Sequence, residues 1–248
     1  MRAKGALHIH SQLSHDGTLT IAELASWYRG KGYQFLAMGE HAEDLNVAKV
    51  QALVDESARN SDDKFCVIPG IEFAVTRHMH IVGLGVTRLI PPNDPVTVVH
   101  EIHQQGGFAI LAHPMRIGWQ CAADVLQAID AAEIWNVGYD GKYLPSPVAL
   151  SGFRGMQQLN PNLLAVASHD FHRTASYYDL RVEMDVASLS REPILQNLQN
   201  GRYVNRSRFF RADARGRVSP IRAGLLNIVS RQLRYIRKAR TLFLRFTA

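Results

Sequence analysis

Two hydrophobic periods alternate along the first 200 residues. Uninterrupted apolar runs at 5–9, 35–39, 66–73, 108–112 and 163–167 read as strands buried on both faces. Residues 132–136 and 180–184 are further strand-like runs, and 78–84 is a candidate hairpin partner for 66–73. Between them lie stretches with helical spacing. One begins at Thr20, whose side chain and Glu23 three residues on form a capping-box pattern, and runs to about Gly30. A second spans 46–60, with Val47, Val50, Leu53 and Val54 on one stripe, and a third spans 95–105 and stops at Gly106-Gly107. Others are predicted at 122–131, 145–158 and 193–200. Alternating strands and helices, with strands this apolar, predict an α/β fold in which helices cover a parallel sheet.

The polar residues of interest gather where these strands end. His10, His41, Glu72, His113, Asp170 and His172 all stand at C-terminal strand ends, the face on which a parallel α/β barrel builds its active site. His8 and His10 are two apart and share one face of a strand. Asp16 follows in the turn-like Ser14-His15-Asp16-Gly17, and His80 lies in the run after Glu72. Imidazole and carboxylate together suit zinc, iron or manganese better than calcium. Nine such residues exceed the needs of one tetrahedral ion and suit two or three ions that share ligands. His100 and His103, on a helix, read as surface residues, and His15 and His169 as neighbours without a ligand role.

Composition narrows the class. The chain has 248 residues, 46% of them hydrophobic, and a mean hydropathy of −0.12, as expected of a globular protein with a sizeable core. No apolar run approaches the ~18 residues of a membrane span, and Met1-Arg2-Ala3-Lys4 leads into a strand without a signal-peptide core. Cys66 and Cys121 form no disulfide framework, so a reduced cytoplasm is the expected location. No glycine-rich phosphate loop follows a strand. The net charge of +6 is unevenly spread: residues 201–248 hold 13 Lys/Arg and one acid, leaving the first 200 residues at −6.

Taken in order, His8-x-His10 with Asp16, His41, Glu72 with His80, His113-Pro114 and Asp170-x-His172 resemble the motifs of the PHP (polymerase and histidinol phosphatase) family of metal-dependent phosphoesterases. The resemblance spans roughly residues 7–172. It implies a distorted seven-stranded (β/α)7 TIM-like barrel with a di- or trinuclear site, occupied by zinc, manganese or iron. On the family pattern His8, His10, Glu72 and Asp170 hold one ion. Glu72 bridges to a second ion bound by His80 and His113, and Asp16, His41 and His172 hold a third. His80 is favoured over His78 because it directly precedes the apolar Ile81-Val82-Gly83-Leu84, as the family's ligand does. The implied activity is hydrolysis of phosphomonoesters or short phosphodiesters by a metal-bound hydroxide, on a small phosphorylated substrate or a short nucleotide. Arg116, three residues after His113, is a candidate for the substrate phosphate. The chain departs from the family in having Glu40, not an aspartate, before His41. A metal-dependent amide or C–N hydrolase on a similar barrel is the alternative.

These features predict a catalytic barrel over 1–200 and a basic extension over 201–248. Within the extension, Pro220 can open an amphipathic helix in which Arg231, Arg234, Arg237, Lys238 and Arg240 alternate with apolar residues. Residues 218–248 are thus a candidate contact to an anionic membrane or a polyanion, with a helix packed on the acidic body as the competing reading. A scaffold that binds through this segment is a third functional class. No segment points to a protein partner.

Overall fold

The computed structural model describes residues 1–140, 144–219 and 224. Its first half comprises β1 (Arg2–Ile9), α1 (Ile21–Gly30), β2 (Phe35–Met38), β3 (Glu40–His41), α2 (Val47–Arg59), β4 (Cys66–Ile68) and β5 (Gly70–Ala74). Next come β6 (His80–Leu84), α3 (Pro95–Gln104), β7 (Phe108–Ala112), α4 (Ala123–Ala128) and β8 (Ala131–Asn136). The order ends with α5 (Pro147–Leu159), β9 (Leu164–Ser168), β10 (Arg181–Asp185), α6 (Arg191–Gln199), β11 (Val204–Arg206) and β12 (Arg211–Asp213).

The caps explain the helix starts. Thr20 and Glu23 close the capping box at the head of α1. Asn46 caps α2, and Asp94 with Pro95 opens α3. The fourth helix is shorter than its pattern predicts: it ends at Ala128, and β8 begins at Ala131 because the Asp130 carbonyl is taken by Leu164 N–H at 2.9 Å.

The strands form two mixed six-stranded sheets, ordered β12-β11-β10-β1-β2-β4 and β3-β5-β6-β7-β8-β9. The α/β class expected from the pattern holds, but the all-parallel sheet does not, and no closed barrel forms among the described residues. Two local causes are visible. The five residues between β5 and β6 are too few for a crossover, so those strands pair antiparallel as a hairpin. The run 66–73, read as one strand, breaks at Pro69, which has no N–H to continue a ladder. Its halves join different sheets, as do β2 and β3 on either side of Gly39.

One apolar layer lies between strands and helices, with Leu24, Tyr28, Val99, Ile102 and Phe153 among its members. A second draws on strands of both sheets and on Ile194, Leu195 and Leu198 of α6. The first sheet continues past residue 200, where the sequence pattern placed the end of the barrel: β11 and β12 extend it by two antiparallel strands. Apart from Gly224, the tail from Pro220 on, with its expected amphipathic helix, lies outside the described residues. Among the described residues no helix is long and apolar enough to cross a membrane.

Candidate metal centre

Glu72, on β5 and buried, is the hub. Its Oε1 lies 2.8 Å from His80 Nδ1 and 3.0 Å from His113 Nε2, while its Oε2 lies 3.3 Å from His8 Nε2 and 3.2 Å from His41 Nδ1. Asp170 Oδ1 approaches His10 Nε2 at 3.4 Å and His8 Nε2 at 3.7 Å. Asp16 reaches out from the loop after β1 to His41 Nε2 at 3.3 Å and His172 Nε2 at 3.1 Å. The nine residues singled out in the sequence therefore meet at one place. Eight of them offer donor atoms in three groups, each within 4.8 Å: His8 with His10 and Glu72, Glu72 with His80 and His113, and His10 with Asp16, His41 and His172, while Asp170 borders the first through His8 and His10.

Local backbone geometry places these side chains. His8 adopts φ 62°, at an irregularity in the β1–β2 ladder between Leu7 and Ile9. Simple two-residue alternation therefore does not by itself bring His8 and His10 together. His113 (φ 30°) and Asp170 (φ 50°) are also left-handed, leaving Trp119 as the one other non-glycine residue of this kind among those described. Such conformations cost on the order of 1–3 kcal/mol each and persist where surrounding structure enforces them. Behind His8 stands Gly39, where a Cβ would come within 2.8 Å of His8 Cδ2. Glycine is required there so that the two can pack.

The charge environment favours a cation. Burial disfavours ionisation of Glu72 and Asp170, yet the surrounding histidines, His8 foremost, hold both well below the usual carboxylate range. His8 is pulled well above the imidazole range against its burial by Glu72, Glu133 and Asp170. His41 is likewise raised, to about 9, by Glu72 and Asp16. Burial lowers His10 to about 4, so at neutral pH it presents uncharged ring nitrogens, the form in which imidazole binds metals.

Unmet bonding capacity supplies the test of fit. His8 Nε2, both His10 ring nitrogens and His113 Nδ1 are buried and make no hydrogen bond among the described residues. Carboxylate oxygens stand 3.3–3.7 Å from His8 Nε2 and His10 Nε2 all the same. Metal–nitrogen bonds of ~2.0–2.1 Å in a tetrahedral set separate neighbouring ligand atoms by about 3.3 Å. These residues fit divalent ions.

Glu133 was not legible as part of the site. It is fully buried on β8, its Oε1 accepts from His8 Nδ1 at 2.7 Å, and its Oε2 accepts from the His113 backbone N–H at 2.7 Å and Asn136 Nδ2 at 2.9 Å. A carboxylate inside an apolar strand of the core was the available signal. Glu40 is also buried and acts on His41 at one remove. It accepts from Ser14 Oγ at 2.5 Å, and Ser14 Oγ accepts from the His41 N–H at 3.0 Å. His169 packs away from the cluster, bonded to Tyr28 Oη at 2.7 Å and to the Leu180 carbonyl. His15 is bonded to Asp44 at the surface, and His103 to Asp130. Arg116 stands at the mouth, donating to His80 Nε2 at 3.3 Å. The Tyr139 ring lies 5.0 Å from that of His113 at the same opening.

No family model matches the chain. A segment of 80 residues is 34% identical to the DNA polymerase/3'-5' exonuclease PolX of Bacillus subtilis, covering 29% of this chain and only 14% of that polymerase. Among solved structures, the chain is similar to a two-domain protein from Bacteroides vulgatus containing a predicted PHP-like metal-dependent phosphoesterase. That match has a TM-score of 0.62 and 18% identity, over 86% of this chain and 66% of that one. A second neighbour is an amidohydrolase from Chromobacterium violaceum, with a TM-score of 0.54 and 18% identity, over 82% of this chain and 98% of that one. The chain thus shares its fold with a predicted PHP-like phosphoesterase, the family its ordered motifs resemble, and with an amidohydrolase.

Proposed function

We propose that this chain is a metal-dependent phosphoesterase acting on phosphomonoesters or short phosphodiesters, with up to three ions of zinc, manganese or iron in the three donor groups around Glu72. The observation that carries the reading is the convergence of nine imidazole and carboxylate side chains, with orphaned buried nitrogens among them. Divalent ions in such a set lower the pKa of water and neutralise phosphoryl oxygens. The protein's own part is positioning. Glu133 fixes His8, Ser14 and Glu40 fix the His41 backbone, and Glu72 ties two donor groups together. Asp16 is half-exposed and His172 partly so, which makes their group the open side of the site. Arg116, at the same mouth, offers a planar fork to a phosphate. A cytoplasmic location goes with this reading.

The amidohydrolase neighbour keeps C–N hydrolysis as the second reading, since the same donor set polarises a carbonyl. Elemental mass spectrometry of the untagged chain, paired with hydrolysis of an aryl phosphate and of an amide panel, separates the two. Bound metal with phosphate release, abolished in Asp170→Ala, supports the phosphoesterase. Amide turnover alone overturns it, and a chain that takes up no metal overturns both readings.

A further inference from the structure

The β10–β11–β12 edge of the first sheet carries an arrangement that the metal centre does not use. The register sets Arg181 opposite Arg206, and Arg206 opposite Arg211, so three guanidinium groups stand abreast on one face. Their neighbours Val182, Asn205 and Ala212 are buried on the other face. Like charges directly opposite destabilise a sheet. Glu183 offsets part of this, lying 2.7 Å from Arg181 and 3.2 Å from Arg206, and Asp179 lies 2.7 Å from Arg181. Arg211 has no carboxylate partner among the described residues, and neither has Arg208 at the hairpin tip. Asp179 and Glu183 serve Arg181 and Arg206, and Lys4 and Arg2 as well, so the edge keeps an excess of positive charge.

The tip adds two features. A hollow of about 110 Å³ is lined by Arg206, Ser207, Arg208, Phe209, Phe210 and Arg211. A water molecule's share of liquid is about 30 Å³, so the hollow has room for a phosphate group. Phe209 beside it is 62% exposed, with the Arg208 guanidinium 5.4 Å from its ring centroid. Strand direction fixes where this lies: β11 runs antiparallel to β10, which runs antiparallel to β1, so the tip projects at the end of the sheet where His8 and His10 stand. With strands ~4.8 Å apart, β11 is roughly 10 Å from β1 across the sheet.

We propose that Arg206, Arg208 and Arg211, with Phe209, form a binding surface for the backbone of a single-stranded nucleic acid, Arg181 being held by Glu183 and Asp179. Guanidinium forks match phosphates, and an exposed ring stacks an unpaired base. A strand lying along the row reaches the mouth of the metal centre within a few nucleotides. A membrane on the same tip would lie across that mouth, so the placement favours the nucleic acid. Binding is independent of the phosphoesterase reading, although delivery to the centre rests on it.

The test is fluorescence anisotropy of a labelled single-stranded 12-mer DNA with the full chain, at two salt concentrations, beside aryl phosphate hydrolysis and thermal melting. In the Arg208→Glu/Arg211→Glu variant we expect 12-mer affinity to fall at least tenfold and its salt dependence to weaken. Phe209→Ala should lose about fivefold or more. Melting and aryl phosphate turnover should not change. Unchanged 12-mer affinity in both variants overturns the proposal. So does tighter, hairpin-dependent binding to vesicles containing phosphatidylserine than to the 12-mer, which would assign the tip to a membrane. Hairpin-dependent binding by a chain without phosphoester turnover would overturn the proposed activity and leave this surface standing.

Discussion

His8 and Glu133 sit 2.7 Å apart, both fully buried, with His8 Nδ1 donating to Oε1. That bond holds Nδ1 and turns Nε2, 3.3 Å from Glu72 Oε2, toward the cluster, where a bound metal would take the place of its proton. Glu133→Ala removes the anchor and also the partner of the His113 backbone N–H. Outer carboxylates of this kind affect metal affinity by roughly 10–100-fold, and that loss is expected in a chelator competition titration. Glu133→Gln keeps an acceptor oxygen for Nδ1 and should recover part of the affinity. Equal losses in both variants would mean that charge, rather than orientation, is what Glu133 supplies.

A neighbouring relationship is steric. The Cβ of Gly39→Ala would meet His8 Cδ2 at 2.8 Å, and the Glu133 bond prevents the ring from swinging aside. Overpacking of this kind costs about 1–3 kcal/mol, so the variant should melt lower and bind metal more weakly. Gly155→Ala in α5 is the control, because its Cβ would meet nothing within 4 Å. It should be neutral, or stabilising by up to about 1 kcal/mol, through helix propensity. A Gly39→Ala protein with unaltered metal affinity would show that His8 has slack.

These two positions show what could be read in advance. The candidate ligands were legible because each carries its chemistry in its type and most stand where an apolar run ends. His8, Glu72 and Asp170 needed no contact map to be named. Glu133 also ends its chemistry in a carboxylate, but it lies mid-strand, and only its distance to His8 separates a site residue from a chance buried acid. The short link between β5 and β6 showed their hairpin in advance, but other strand directions were hidden. β7, antiparallel to β6, is as uniformly apolar as a parallel strand, and nothing in its pattern marks its direction. Pro69 was a visible strand breaker in a run that hydropathy alone joins together.

Asp140 gives a pH dependence with a definite sign. Its Oδ2 accepts the Asn136 N–H at 3.0 Å while Oδ1 is buried with no partner among the described residues, and burial raises its pKa to about 7 from an ordinary 3.8. Below pH 4 the carboxyl is protonated in folded and unfolded chains alike. Between about 4 and 7 the unfolded chain ionises first, so folding stability falls as pH rises and then levels off. Asp140→Asn keeps the acceptor and removes the titration. Urea unfolding of both proteins, metal-free, at pH 5 and pH 7.5 should show the variant gaining stability relative to wild type at the higher pH. A difference that does not change with pH would place the Asp140 pKa near its ordinary value.

One side-chain amide bridges the two sheets where β11 meets β9. Asn205, buried on β11, accepts from the Ala167 N–H at 2.7 Å through Oδ1 and donates to the Ala165 carbonyl at 2.8 Å through Nδ2. A side chain thereby supplies β9 with the donor and acceptor that another strand would give. Ala165 N–H also reaches the Ala214 carbonyl at 2.8 Å. Asn205→Ala leaves the buried Ala167 N–H unpaired, while the Ala165 carbonyl keeps the Tyr203 hydroxyl at 2.9 Å. The expected loss, about 1–3 kcal/mol, is read as a lower urea midpoint at constant slope. Since β9 leads directly into Asp170, hydrogen exchange at Ala165 and Ala167 should rise in the same variant, and metal affinity should fall with it. Asn205→Asp can still accept from Ala167 but turns a second acceptor on Ala165, so it should be no better than alanine. An aspartate variant as stable as wild type would show that the Ala165 contact adds nothing to the junction.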